Sequence, residues 1–221
     1  MHRYQILMEY VGTNFYGWQC QKKQITIQGT VEKTLKKILK EKVRLYGSGR
    51  TDSKVHAIEQ SAHFDVINKI NNIKKFFNTL NFFLNRSFIT VVKIKKRPLT
   101  FHARYSAKKR IYKYLIHNRE SLPSIDRDRG WYVKKKLDYE LIKKASHFLK
   151  GTHDLSVFRA SNCSASSPVR TIESLTVQKN NDIIEIKIRS RSFLKQQVRS
   201  IVGCLKYVGE KSGQLINLKK S

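Results

Sequence analysis

The spacing of apolar residues switches between two periods along the chain, and the order of the two patterns repeats loosely. Stretches expected to be strands are residues 4–11, 43–46, 60–64, 88–95, 106–117, 171–178 and 183–190. Stretches with apolar residues on one helical face are residues 28–40, 72–84, 138–150 and 193–208. This order predicts an α+β protein of two halves, residues 1–98 and 99–221, that meet near Pro98, each half being a sheet with helices on one face.

Positive charge is the strongest bulk property. The 221 residues include 45 Lys and Arg against 16 Asp and Glu, a formal net charge of +29. Such an imbalance repels itself in a folded chain unless a polyanion neutralises part of it, which favours RNA or DNA as a partner. A compositional bias toward lysine, with most lysines merely solvated, is the alternative explanation.

Other bulk features exclude several classes of protein. No stretch approaches the roughly 18 apolar residues of a membrane-spanning helix, and the N-terminal segment lacks the apolar core of a signal peptide. Cys20, Cys163 and Cys204 are odd in number and widely spaced, which fits neither a disulfide framework nor a zinc site. We therefore expect a cytoplasmic protein without a metal.

Residues 47–57 (GSGRTDSKVHA) form the first candidate site. Two glycines allow a sharp turn and a close approach to a ligand, and Arg50 and Asp52 would combine a phosphate contact with a carboxylate. A surface loop whose aspartate caps the next segment explains the same residues. The spacing of a phosphate-binding P-loop is absent.

Residues 101–114 (FHARYSAKKRIYKY) form the second candidate site. Basic residues between aromatic ones can hold a phosphate backbone and offer a ring for a base to stack on. In a strand, Tyr112 and Tyr114 share one face, and Ile111 and Lys113 share the other. An ordinary half-buried strand with solvated lysines fits equally well.

The pattern predicts two features of the later helices. Gly151 is expected to cap the helix over 138–150. In residues 193–203 (FLKQQVRSIVG), Arg199 follows the inward-facing Val198 and so lies at the edge of a buried face. A plain amphipathic helix with a solvated arginine is the alternative.

Together these segments resemble the TruA-type tRNA pseudouridine synthases. The matching blocks occur in family order over about residues 4–209: residues 9–13 (EYVGT), 17–19 (GWQ), 26–28 (TIQ), 49–52 (GRTD), 55–57 (VHA), 101–104 (FHAR) leading to Tyr112, 193–194 (FL), 198–199 (VR) and 201–203 (IVG). Any one block is moderately specific, and their order makes the set very specific.

The resemblance implies a role for each matching residue. Asp52 would attack or deprotonate the ribose while the glycosidic bond breaks and the uracil turns. Arg50 would contact the RNA backbone and help hold the nucleotide out of its stack. Tyr112 would lie against the flipped uracil. Arg199 would pair with Asp52 and lower the pKa of its carboxyl.

The resemblance also implies the context of the reaction. Arg104, Arg110 and His56 would be further substrate-binding residues. The two α+β halves would share a mostly antiparallel sheet, with an RNA-binding cleft in a homodimer. The substrate would be uridine in the anticodon stem-loop of tRNA, around positions 38 to 40. No metal, nucleotide or redox cofactor would be required.

Three departures from the family pattern stand out. Ser53-Lys54 replaces the usual Ala-Gly, and if that position needs a positive φ, Lys54 costs about 1 kcal/mol of strain. Gln196-Gln197 replaces the usual His-Met. Family members also continue past the third motif, whereas this chain ends in a polar, basic tail, so we expect a shortened C-terminus.

Two other functions remain possible on the sequence alone. One is a catalytically weak RNA-binding remnant of the same fold. The other is a basic structural protein such as a ribosome-associated factor, which would have no use for an acidic residue in a basic cleft.

Overall fold

The computed structural model describes residues 1–210, and the backbone divides into two units, Met1–Ala107 and Lys108–Ser221. The division follows Ala107, nine residues beyond the Pro98 boundary used in the sequence analysis. The apolar tail residues Leu215, Ile216 and Leu218 lie outside the described part. No helix within residues 1–210 is long and apolar enough to cross a membrane.

The first unit is a four-stranded antiparallel sheet with two helices. Its elements in chain order are β1 (His2–Tyr10), α1 (Ile27–Leu39), β2 (Leu45–Gly47), β3 (Ala57–Val66), α2 (Ile73–Leu84) and β4 (Ile89–Arg97). The strands lie in the order β2-β3-β1-β4.

Every second side chain along β1 faces the core of this unit. Tyr4, Ile6, Met8 and Tyr10 are all buried, and they join the buried faces of α1 and α2 in one apolar cluster. The Thr26 hydroxyl caps α1 by accepting from the Gly29 N–H at 3.2 Å.

The second unit is a five-stranded sheet with two helices. Its elements are β5 (Arg110–Asn118), β6 (Trp131–Val133), α3 (Tyr139–His147), β7 (Gly151–Asp154), β8 (Val169–Asn180), β9 (Ile183–Ser190) and α4 (Gln197–Glu210). The order is β6-β5-β9-β8-β7, and only the β5–β6 pair is parallel among the described strands. Ile184, Ile186 and Ile188 of β9 are fully buried against residues of α3 and α4.

The α+β class and the mostly antiparallel pairing predicted from the sequence are confirmed. The hydrogen bonds group the described strands into two sheets, one in each unit, which matches the sheet predicted for each half from the order of the patterns.

Some local assignments were wrong. The last helix begins at Gln197 instead of Phe193, and the strands β6 and β7 were not predicted. Gly151 does not cap α3, because that helix ends at His147 with Phe148 as its cap. Gly151 has φ +103° and opens β7 instead.

Candidate active site

The loop that carries Asp52 follows β2 and is fastened to β3 by hydrogen bonds. The Ser48 N–H donates to the Ser61 carbonyl at 2.8 Å. The buried Gln60 side chain donates from Nε2 to the Gly49 carbonyl at 2.6 Å. These bonds fix the first half of the loop.

The same loop is fastened on its other side to residues 12–18. The Trp18 N–H donates to the Thr51 carbonyl at 2.9 Å, and the Lys54 N–H donates to the Phe15 carbonyl at 3.2 Å. The Tyr10 and Thr51 hydroxyls lie 2.8 Å apart and share a hydrogen bond. Asp52 therefore projects from a segment held on both sides, and its side chain is exposed.

Two glycines permit this close approach. A Cβ placed on Gly12 would lie 2.1 Å from the Val55 carbonyl oxygen, a distance that no side chain tolerates. A Cβ on Gly17 would lie 2.8 Å from the Thr51 carbonyl oxygen, and Gly17 also has φ +89°. Glycine is therefore required where residues 12–18 cross the Asp52 loop.

Asp52 is the first residue of a β-turn. Its carbonyl accepts from the Val55 N–H at 3.2 Å, and Lys54, the third residue of the turn, has φ +64°. Glycine or asparagine is the usual residue at a position with positive φ in such a turn. The position where the family usually has glycine therefore does need a positive φ, and Lys54 is held there in a strained backbone conformation.

His56 has a structural contact in this loop. Its Nδ1 accepts a hydrogen bond from the Gly12 N–H at 3.2 Å. In the neutral ring the hydrogen is therefore on Nε2. Arg50, on the other side of Asp52, has an exposed side chain.

Residues 101–107 lie in the first unit and are fixed by a buried histidine that the sequence analysis did not single out. His63 on β3 is 1% exposed, and its Nδ1 accepts from the Ala103 N–H at 3.1 Å. Burial, with smaller contributions from the Arg3 guanidinium and the neighbouring His102 ring, lowers the pKa of His63 to about 4. His63 is thus a neutral acceptor at physiological pH.

Aromatic rings surround this contact. The His102 ring lies 4.6 Å from the His63 ring and 4.4 Å from the Tyr105 ring, between centroids. The exposed Arg104 guanidinium lies 5.9 Å from the centroid of the Tyr105 ring. Tyr46 on β2 stacks on His63 at 5.0 Å. Arg104 therefore lies beside the ring of Tyr105, and its role in binding RNA remains a prediction.

Tyr112 lies on β5 in the second unit. Its ring packs edge-on against Phe193, with centroids 5.1 Å apart and planes at 88°. Tyr112 and Tyr114 are half-buried while Ile111 and Lys113 are exposed, which confirms the predicted division of faces. The Arg110 guanidinium donates to the Arg191 carbonyl, at the end of β9.

Arg199 is the third residue of α4 and is exposed. A cation in the first turn of a helix is disfavoured by the helix dipole. The turn before α4 is closed by the Gln197 N–H donating to the Leu194 carbonyl at 3.2 Å, and Gln196 in this turn has φ +61°.

Gln197 anchors this turn from inside the core. Its side chain is fully buried, and Oε1 accepts from the Leu194 N–H at 2.7 Å. Because the Leu194 N–H is a donor, the amide atom that it contacts is the oxygen Oε1, and the other amide atom is the nitrogen Nε2. Nε2 is buried and has no hydrogen-bond partner among residues 1–210.

The predicted residues fall into two groups. The first group lies in the first unit: one loop carries Arg50, Asp52 and His56, and a separate segment of the same unit carries Arg104. The second group, all in the second unit, is Arg110, Tyr112 and Arg199. Pairing of Asp52 with Arg199 remains a prediction. Within residues 1–210 no group of three or more His, Cys, Asp or Glu side chains is arranged to hold a metal ion.

An exposed carboxylate on an anchored loop, in a strongly basic α+β chain, is compatible with an enzyme that acts on RNA, and comparison with known proteins gives the family. A family model described as tRNA pseudouridine synthase matches residues 6–106 and 145–220. The chain belongs to the tRNA pseudouridine synthase family.

Three relatives, each named tRNA pseudouridine synthase A, are similar over nearly the whole chain. The protein of Pelagibacter ubique (strain HTCC1062) is 56% identical over 97% of this chain and 87% of its own length. That of Thermoanaerobacter sp. (strain X514) is 44% identical over 95% and 85%. That of Ehrlichia ruminantium (strain Gardel) is 44% identical over 94% and 85%.

Proposed function

We propose that this protein isomerises uridine to pseudouridine in the anticodon stem-loop of tRNA, around positions 38 to 40, with Asp52 as the catalytic carboxylate. Family membership makes it an isomerase that acts on tRNA. The observation that carries the assignment of Asp52 is the geometry of its loop. An exposed carboxylate is held by backbone hydrogen bonds on both sides of the loop, so its position does not depend on flexible contacts.

The reaction rearranges one nucleotide without gaining or losing atoms. The bond between C1′ and N1 breaks, the uracil turns, and a bond forms between C1′ and C5. The proton on C5 leaves and N1 gains one. Asp52 acts on the ribose as nucleophile or as base, which are the two roles open to an ionised carboxylate here. The family resemblance implies that Arg199 pairs with Asp52 and stabilises its charge.

Tyr112 supplies a surface for the extruded uracil. Its ring is held edge-on by Phe193, so its orientation is set before the substrate arrives. Stacking of one base on an aromatic ring contributes about 1–3 kcal/mol. Arg50 contacts the RNA backbone and helps to hold the nucleotide outside its stack.

Other basic residues bind the rest of the tRNA. Arg104, Arg110 and His56 contact the substrate around this nucleotide, and the +29 net charge supports a polyanionic partner. The enzyme acts as a cytoplasmic homodimer, as the family resemblance implies. Sedimentation of the purified protein, with and without tRNA, tests the dimer directly.

The salt dependence of tRNA binding tests how many phosphates the protein neutralises. If about 5 phosphates are neutralised, log K for tRNA falls with log[salt] with a slope of roughly −3 to −5. Filter binding or fluorescence anisotropy across salt concentrations measures this slope. A slope near zero would mean that the charge is a compositional bias.

Isomerisation itself is tested with unmodified tRNA transcripts. Purified protein is incubated with tRNA, and pseudouridine is mapped by primer-extension stops that depend on carbodiimide treatment. New stops are expected around positions 38 to 40, and a transcript with cytidine at those positions is the matched control. Tight binding without any stop would instead favour an RNA-binding remnant of the fold.

A further inference from the structure

Five residues other than glycine adopt a positive φ in the described chain, and three have an ordinary explanation. Lys40 caps α1, Phe88 ends a short 3₁₀ turn before β4, and Asn181 turns the hairpin between β8 and β9. The other two, Lys54 and Gln196, lie in the turns before Val55 and Gln197 that accompany the proposed catalytic residues.

Lysine is an unusual residue for the conformation at position 54. Asparagine and aspartate tolerate a positive φ because their short side chains bond to nearby backbone, and lysine has no such group near its Cα. The Lys54 side chain is exposed, so packing in the core does not require it either. Backbone strain clusters at ligand-binding and active sites, and Lys54 lies two residues from Asp52.

The loop cannot relax to relieve the strain. The Lys54 N–H is bonded to the Phe15 carbonyl, and the neighbouring Asp52 carbonyl is bonded to the Val55 N–H. The φ of +64° is thus imposed by the anchored loop. Glycine would adopt it at no steric cost, yet the position holds a long cation.

The position of Lys54 beside Asp52 points to the ligand of this cation. Arg50 and Lys54 flank Asp52 at equal distance in sequence, two residues on each side, and all three side chains are exposed. An exposed carboxylate with a cation two residues before it and another two residues after it suits a ribose that has a phosphate on each side. Lysine acts on phosphate as a compact point charge on a flexible stem.

We propose that the Lys54 ammonium binds a backbone phosphate of the tRNA next to the uridine on which Asp52 acts. This inference rests on the proposed function. A phosphate contact positions the nucleotide without reading its base. The contact offsets the backbone strain at Lys54 only when RNA is bound.

Stability and binding are therefore expected to change in opposite directions in Lys54→Gly. Relief of the positive φ raises the melting temperature by about 1–3 °C, after allowance for the extra freedom of glycine in the unfolded chain. Loss of the phosphate contact weakens tRNA binding about fivefold, as expected for one exposed ion pair. The slope of log K against log[salt] becomes shallower by about 0.7–0.9.

The chain offers a matched control in Lys40→Gly. Lys40 is also an exposed lysine, with φ +59°, at the end of α1. Lys40→Gly removes the same charge and the same kind of strain, so it should raise the melting temperature equally while leaving tRNA affinity within about a factor of two. Lys54→Arg keeps both charge and strain and should retain most of the affinity.

The experiment measures melting temperature, tRNA affinity at several salt concentrations and turnover for wild type and all three variants. Equal losses of affinity in Lys54→Gly and Lys40→Gly would overturn the proposal, as would an equal loss in Lys54→Arg. Absence of turnover in the wild type would instead contradict the proposed function. The two failures are therefore distinguishable.

Discussion

Two turns in this molecule have the same backbone design but different anchors. In the first unit, residues 52–55 close with a 3.2 Å hydrogen bond and place Lys54 at φ +64°. In the second, residues 194–197 close with a 3.2 Å hydrogen bond and place Gln196 at φ +61°. Asp52 begins the first turn, and Arg199 follows the second within the first turn of α4.

The anchors differ in kind. The Asp52 turn is held by backbone hydrogen bonds to residues 12–18 and by glycines that allow close contact. The turn before α4 is held by the buried side chain of Gln197. A backbone anchor depends on which positions are glycine, whereas a side-chain anchor depends on one residue. The two turns should therefore respond to different substitutions.

The largest effect is expected for Gly12→Ala. Its Cβ would lie 2.1 Å from the Val55 carbonyl oxygen, so the backbone must move, and we expect a loss of about 2–4 kcal/mol in the free energy of unfolding. Urea denaturation measures it. Gly203→Ala is the control, because a Cβ there meets nothing within 4 Å, and it should stabilise helix α4 by about 0.5–1 kcal/mol. Similar effects of the two substitutions would contradict the backbone anchor.

The side-chain anchor is tested next with Gln197→Ala and Gln197→Met. Alanine removes the acceptor for the Leu194 N–H and leaves a cavity, so we expect a loss of about 2–3 kcal/mol. Methionine also loses the acceptor, but it fills the space and removes the unpartnered Nε2, so the net cost should stay below about 1.5 kcal/mol. Equal losses in the two variants would mean that hydrogen bonding, and not packing, decides the stability of this turn.

The smallest effect is expected for Gln196→Gly. Relief of φ +61° should raise the melting temperature by about 1–3 °C. Scanning calorimetry compares it with Lys54→Gly, which relieves a similar φ in the first unit. A fall in melting temperature would indicate that the Gln196 side chain makes a stabilising contact greater than the strain.

The sequence predicted the elements whose apolar period is long enough to be recognised. The four helices and the longer strands were all located, because each extends over several repeats of its pattern. The strands β6 and β7, of three and four residues, are too short to show a period and were missed, whereas β2, also of three residues, was located from the short strand-like segment at residues 43–46. The start of α4 was missed because Phe193 and Leu194 continue the helical spacing, while the anchored turn with Gln196 decides where the helix begins.

In the candidate site, the features that depend on local sequence were predicted, and those that depend on distant contacts were not. The Asp52 loop and the division of faces around Tyr112 follow from local sequence. The contact of His63 with Ala103 joins residues 40 positions apart and depends on how β3 pairs. A lone histidine in a strand gives no signal for it. The positive φ of Lys54 is set by the anchored turn from Asp52 to Val55, which the sequence does not show.

The central claim is that the anchored loop presents Asp52 as the catalytic carboxylate. The direct measurement is pseudouridine formation and tRNA affinity for Asp52→Asn, with Asp52→Ala as a second variant that cannot revert to aspartate by hydrolysis of an amide. The amide matches the shape of the carboxylate but cannot act as nucleophile or base, so turnover should fall below detection while tRNA affinity stays nearly unchanged. Substantial residual turnover in clean preparations of both variants would contradict the assignment of Asp52.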